Sequence, residues 1–122
     1  MTTNRPPEED CVDTIAEAAQ VLGFLVHHSR PARTAKGWRT PIQGNAGFVD
    51  LVIVGHGKSW FIEAKRRPLK PTPEQMLWAT EMIKAGLDAR LVFVPEESEA
   101  LIAEMKAHYA RSRHPSVGSG SY

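Results

Sequence analysis

The chain has 122 residues, of which 42% are hydrophobic and 24% are charged, and its formal net charge is +1. This length and composition are typical of one soluble globular domain, and the chain is too short for two domains. No apolar run approaches the roughly 18 residues of a membrane span, and the polar start of the chain lacks a signal-peptide pattern, so we expect a cytosolic protein. The single cysteine, Cys11, excludes an internal disulfide and a cysteine-based zinc cluster, and we expect it to be a buried small hydrophobe.

The first half of the chain predicts a helix, a short strand and a long loop. Apolar residues spaced as one helical face predict a helix over 8–22, which Gly23 ends. Residues 24–26 predict a short buried strand. Residues 29–47 are rich in Arg, Pro, Gly and Thr without periodicity, and they predict a loop. A structureless segment longer than about 12–15 residues is usually functional or disordered.

The second half predicts a hairpin, a helix, a strand and a final helix. The strands of the hairpin lie at 51–54 and 60–62, and Thr72 with Gln75 forms a capping box for a helix that runs to about Ala85. A strand at 90–94 and a helix from 96 to about 109 follow. The predicted order is α-β-β-β-α-β-α, in one domain over residues 8–110 with flexible tails at 1–7 and 111–122.

The hairpin predicts a site for a cation. With His56 and Gly57 as its two turn residues, Asp50 pairs directly with Glu63. Paired residues have Cβ atoms about 4.5–5.5 Å apart, where two like charges destabilise a sheet unless a positive charge lies between them. Lys65 lies two residues beyond Glu63 and therefore points to the same face. A register slip of one residue would turn Asp50 to the other face.

An ordinary sheet with an exposed Glu-Lys pair is the alternative interpretation. Asp50 opens one apolar strand and Glu63 closes the next, so both acids gather at one end of the hairpin, which favours a site. Basic residues flank these acids in the long loop and after the hairpin, as expected for a protein that binds a polyanion, although solvated loops have the same composition. They are Arg30, Arg33, Lys36, Arg39, Lys65, Arg66, Arg67 and Lys70. Trp38, His27 and His28 are candidates for stacking on bases, or for core and rim positions.

Several motifs together resemble a known family. They are the run Gly47 to Ile53, the run Phe61 to Lys65, and Thr72 to Gln75 with Trp78 and Ala85-Gly86. This combination is similar to the VRR-NUC domain of the PD-(D/E)xK nuclease superfamily. The stretch from His27 to Gly47 resembles the small phage and prophage members. The resemblance covers about residues 8–105, and it departs from the family pattern at Val49, where a proline usually precedes the aspartate.

The resemblance implies an α/β fold with a restriction-endonuclease-like core, in which helices flank a mixed central sheet. It implies a Mg²⁺- or Mn²⁺-dependent DNA endonuclease, often specific for branched DNA such as Holliday junctions or flaps, and located in the host cytosol if it is phage-encoded. A homodimer is implied if the enzyme cuts symmetric junctions. The alternative is a DNA-binding accessory module that keeps the fold but does not cut.

The resemblance also implies roles for individual residues. Asp50 and Glu63 would be metal ligands with the carbonyl of Ala64, and Lys65 would activate the attacking water. A further acid would come from the first helix, with Glu8 and Asp10 as candidates. Gln75 would belong to the catalytic set, although the capping box also explains it. The predicted DNA-binding residues are Arg30, Arg33, Lys36, Trp38, Arg39, Gln43, Arg66, Arg67 and Lys70.

Overall fold

The computed structural model describes residues 8–29, 32–34, 37–39 and 43–113, with the backbone alone described at 32–34 and 37–39. The helices are α1 (Glu8–Val21), α2 (Pro73–Lys84) and α3 (Ser98–Arg113). The strands are β1 (Leu25–His28), β2 (Ala32–Thr34), β3 (Gly37–Arg39), β4 (Leu51–Gly55), β5 (Lys58–Lys65) and β6 (Ala89–Phe93).

The central sheet has four strands in the order β1-β4-β5-β6. Strands β1, β4 and β5 pair antiparallel, whereas β6 pairs parallel to β5. A parallel pair needs a crossover connection, and α2 provides it between β5 and β6. The mixed sheet flanked by helices confirms the predicted α/β fold class.

The β4–β5 hairpin has the predicted register. Its turn residues His56 and Gly57 have φ values of 50° and 78°. Two consecutive positive φ angles are required by a type I′ turn, the tight turn that matches strand twist. Gly55 therefore pairs with Lys58, and Leu51 pairs with Ile62.

The main core lies between the sheet and the helices α1 and α3. Its largest fully buried side chains include Trp60, Ile15 and Met105, and Cys11 is buried there as predicted. A smaller core on the other face packs Met82 of α2 against Val49 and neighbouring strand residues. The site lies on this second face, because Glu63 and Asp50 are each two residues along the strand from Phe61 and Val52, which pack on this face, and side chains two residues apart point to the same side.

Several bounds differ from the prediction. The strand predicted as buried at 24–26 lies at Leu25–His28, and its residues are exposed or half-buried. The segment predicted to be one loop, 29–47, contains the antiparallel pair β2–β3, so two strands are added to the predicted order. Strands of three residues are too short to show periodicity, which is why the sequence pattern missed them. Helix α3 continues to Arg113, into the predicted tail, because no glycine or proline interrupts it before Pro115. Among the described residues, no helix has both the length and the apolar character of a membrane span.

Candidate metal and DNA site

Asp50 and Glu63 face each other at the open end of the β4–β5 hairpin. Asp50 immediately precedes β4, and the hairpin register continued by one residue places it opposite Glu63. The Asp50 carboxylate accepts a hydrogen bond from the amide of Ala64 at 3.3 Å. The charge of Asp50 acts on the Glu63 carboxyl group and is one of the causes of its raised pKa. The predicted convergence of these two acids is therefore present.

Glu63 is the one buried carboxylate among the described residues, with 6% of its surface exposed. Burial, followed by the charge of Asp50, raises the pKa of Glu63 to about 8 from its ordinary 4.5, and Lys65 only partly offsets this. Its Oε1 atom is buried and has no hydrogen-bond partner within the described part of the chain. A buried acceptor without a partner is costly, so this oxygen fits a site that a cation completes.

Lys65 and Gln75 contact the other oxygen of Glu63. The Nζ atom of Lys65 lies 3.8 Å from Glu63 Oε2, and Gln75 Nε2 donates to the same oxygen at 2.9 Å. The Oε1 atom of Gln75 accepts from the amide of Thr72, whose side chain accepts from the amide of Gln75. The capping box and the contact with Glu63 are thus two functions of one side chain, and the helix cap fixes the amide that orients the acid.

Of the two helix α1 candidates, the structure brings Glu8 towards the site. Glu8 Oε2 accepts from the amide of Arg66 at 3.1 Å, and its charge contributes to the raised pKa of Glu63. Asp10 is exposed, and no contact within the described residues joins it to Asp50 or Glu63. Two residues along a helix rotate the side chain by about 200°, so Glu8 and Asp10 cannot point to the same place.

The donor set fits a hard divalent cation that keeps some of its water. Nowhere in the described ranges do three His, Cys, Asp or Glu side chains form a group that could hold a metal alone. Mg²⁺ is commonly bound by one or two carboxylates together with water and substrate phosphates. Asp50, Glu63 and the carbonyl of Ala64 match that pattern, and the unpartnered Oε1 of Glu63 is the atom that such an ion would satisfy.

The structure describes only some of the predicted DNA-binding residues. Arg30 and Lys36 lie outside the described residues, and for Arg33, Trp38 and Arg39 the strand backbone alone is described. Gln43 and Lys70 are exposed.

The two arginines after β5 differ in their contacts. Arg66 is half-buried next to the site, and its Nε has no partner among the described residues. Arg67 lies 3.9 Å from the centre of the Phe93 ring and pairs with Glu96 at 3.5 Å. Arg66 therefore keeps a buried donor that is unpaired within the described part of the chain, whereas the Arg67 side chain is engaged by Phe93 and Glu96.

The structure also places Ser29 beside Asp50, which the sequence analysis missed. The amide of Ser29 donates to the carbonyl of Asp50 at 2.9 Å and so extends the β1–β4 ladder by one residue. Twenty residues separate these two positions in sequence. No local pattern therefore predicts their pairing.

Comparison with known proteins supports the fold and no finer statement. No family model matches the chain, and no curated protein matches it. A solved structure of a "VRR_NUC domain" is similar with a TM-score of 0.61 and 24% sequence identity, over 79% of this chain and 94% of that chain. The fold is that of a VRR_NUC domain. At this identity the likeness concerns the fold, and function has to be argued from the site.

In this VRR_NUC fold, the elements around the site have distinct tasks. The hairpin β4–β5 sets the two acids opposite each other, and the N-terminus of α2 supplies Gln75. The start of α1 supplies Glu8. Because each group comes from the end of a regular element, the arrangement is held by the packed core and does not depend on a loop.

Proposed function

We propose that the protein is a divalent-metal-dependent DNA endonuclease of the VRR-NUC family that hydrolyses phosphodiester bonds. The observation that carries this proposal is the opposed pair of half-buried Asp50 and buried Glu63, with a lysine beside it and a Glu63 oxygen that has no partner among the described residues. A fold used only for binding DNA has no need of two opposed carboxylates, which repel each other and the phosphate backbone.

Asp50, Glu63 and the Ala64 carbonyl would hold Mg²⁺ or Mn²⁺, with Glu8 as the nearby acid of α1. The ion would supply Lewis-acid activation of the phosphate and a nucleophilic water near neutral pH.

The remaining chemistry falls to Lys65 and Gln75. Lys65 is 16% exposed in its side chain, so its ammonium group is partly desolvated and its charge acts strongly on nearby groups. In the proposed reaction it orients the attacking water and stabilises the negative charge that develops on the phosphate oxygens. Gln75 holds Glu63 in place from its capped helix. No covalent intermediate with the protein is required.

We further propose that the substrate is branched DNA, a Holliday junction or a flap. One chain carries one such site, so cutting both strands of a symmetric junction would require a homodimer, whereas a flap can be cut by a monomer. Two groups of residues are proposed to contact the phosphate backbone. The first group lies in the described part of the chain and contains Gln43, Arg66, Arg67 and Lys70. The second group is the predicted set Arg30, Arg33, Lys36, Trp38 and Arg39.

The test is cleavage of labelled four-way junction, flap and linear duplex DNA in Mg²⁺, Mn²⁺ or EDTA. Wild type is compared with Lys65→Ala and with Lys84→Ala, a matched control on the exposed face of α2, whose partner among the described residues is neighbouring Glu81. We expect metal-dependent cutting by wild type and Lys84→Ala, a preference for one branched structure, and at least a hundredfold loss in Lys65→Ala.

Binding without cutting in any metal would contradict the enzyme and support the accessory DNA-binding module. Equal cutting by Lys65→Ala and wild type would contradict the role given to the lysine. The linear duplex serves to separate general nuclease activity from recognition of branched structure.

A further inference from the structure

The β1 side of the acid pair carries two side chains that the proposed reaction does not use. Strand β1 pairs with β4 from Leu25 opposite Val54 to His28 opposite Leu51. The amide bond of Ser29 to the carbonyl of Asp50 continues this register and sets the two residues opposite each other. Directly paired residues share a face of the sheet, so Ser29, Asp50 and Glu63 form one row across three neighbouring strands.

His27 shares this face with Ser29, because side chains alternate along a strand with period two. The Ser29 hydroxyl and His27 Nε2 lie 3.3 Å apart and form a hydrogen bond. His27 is exposed and Ser29 is half-buried, so the pair borders solvent. It lies on the β1 flank of Asp50, whereas Lys65 and Gln75 contact Glu63 from the opposite flank.

The Ser29–His27 pair has one hydrogen-bond donor left over, whether the serine or the histidine donates in their mutual hydrogen bond. A neutral imidazole has one N–H and a serine has one O–H, and their mutual bond uses only one of these donors. Within the residues that the structure describes, neither side chain has another hydrogen-bond partner. A free hydrogen-bond donor beside Asp50 and Glu63 can bind an anionic ligand that reaches this face of the sheet.

The spacing of the row matches the step between phosphates of a DNA strand. Neighbouring strands lie about 4.8 Å apart, so β1 is about 7 Å from the midpoint between Asp50 and Glu63. Consecutive phosphates on one DNA strand step by a distance of this order, since each rises about 3.4 Å along the axis and also turns about it. A DNA strand with its scissile phosphate at the acids would therefore bring the next phosphate near β1.

We propose that Ser29 and His27 bind the DNA phosphate adjacent to the scissile one and so fix the position of the cut strand. This proposal rests on the proposed nuclease function and adds a phosphate-binding subsite to it. The two side chains position substrate and take no part in bond cleavage. Their loss should therefore affect DNA binding more than the rate of the chemical step.

The experiment compares wild type with Ser29→Ala and His27→Ala, using the branched DNA that wild type cuts. Affinity is measured by fluorescence anisotropy in Ca²⁺, and single-turnover cleavage is measured in Mn²⁺. After the cut is mapped, the phosphate on either side of it is replaced in turn by an uncharged methylphosphonate. Ser112→Ala is the matched control, because its hydroxyl bonds to the Tyr109 carbonyl in α3.

We expect each variant to bind unmodified DNA about tenfold more weakly than wild type, the usual effect of losing one hydrogen bond to a charged group. One methylphosphonate should weaken wild type and Ser112→Ala by a similar factor and should add little to the loss in Ser29→Ala or His27→Ala. A merely structural role cannot produce this selective loss of sensitivity. His27→Gln, which retains a donor, should recover part of the affinity.

Two results would overturn the proposal in distinguishable ways. If wild type cuts DNA and both variants respond to the methylphosphonates as wild type does, the subsite is wrong while the nuclease stands. If wild type neither binds nor cuts any of the DNAs, the proposed function fails and the subsite fails with it.

Discussion

The buried carboxyl group of Glu63, which faces half-buried Asp50, should make the metal-free protein less stable at higher pH, and Glu63→Gln should relieve this. The native pKa of Glu63 is about 8, above its ordinary 4.5, so the native state binds more protons than the unfolded state between these values. The free energy of unfolding is therefore highest below about pH 4.5, and it falls as the pH rises towards 8. By pH 7 the loss amounts to about 3 kcal/mol, each pH unit contributing about 1.4 kcal/mol.

Glu63→Gln removes this charge at nearly constant shape. Its amide oxygen can still accept the hydrogen bond from Gln75, and its NH₂ group can donate to Asp50. In EDTA, the variant and wild type should have similar free energies of unfolding near pH 4.5, and the variant should become the more stable by up to about 3 kcal/mol at pH 7.

The assay is urea unfolding at pH 4.5, 5.5, 6.5 and 7.5 in EDTA, with m-values compared to confirm that the same transition is followed. The sign and the trend of the difference are both diagnostic. Parallel pH profiles for the two proteins, or a variant that is less stable at every pH, would show that Glu63 does not have a raised pKa in the native state. The same variant should be inactive, so stability and activity should change in opposite directions.

Three further predictions concern the same region. Because an ion must displace the proton that the raised pKa keeps on Glu63, Mn²⁺ affinity measured by calorimetry should rise about tenfold per pH unit from 5 to 8, and a flat profile would contradict the raised pKa. Gln75→Ala should cost about 1 kcal/mol of stability and also lower kcat, whereas Thr72→Ala should show a similar stability loss with little change in kcat; equal kcat losses would mean that the cap alone matters. Gly47→Ala should cost about 2–3 kcal/mol in urea unfolding, since its Cβ would lie 2.6 Å from the backbone of α2 at a φ of 100°. Gly44→Ala should cost about 1 kcal/mol, since its φ is similar but no atom of the described residues lies within 4 Å of the added Cβ.

What could be predicted from the sequence depended on how local the interactions are. The β4–β5 register followed from a two-residue turn, so the approach of Asp50 to Glu63 was predictable, and the capping box of α2 followed from Thr72 and Gln75. The pKa of Glu63 was not predictable, because it depends on burial beneath α2. Any other pKa shift that arises from tertiary packing is equally unpredictable from the sequence.

Two parts of the site needed the tertiary structure. The choice between Glu8 and Asp10 depends on the rotation of α1 about its axis, which a helical pattern leaves free within a turn. The place of Ser29 beside Asp50 depends on the pairing of β1 with β4 across a long intervening segment. Both are long-range relations, and a single sequence carries no local signal for them.

The central claim is that Asp50 and Glu63 hold a divalent ion for phosphodiester hydrolysis. The most direct test measures the cleavage rate of labelled junction and flap DNA by wild type and Asp50→Asn as Mn²⁺ is titrated from an EDTA-treated stock. We expect no cutting without the ion, saturable activation of wild type, and no activity of Asp50→Asn at the Mn²⁺ level that saturates wild type. Cutting that persists in EDTA, or that survives Asp50→Asn unchanged, would contradict it.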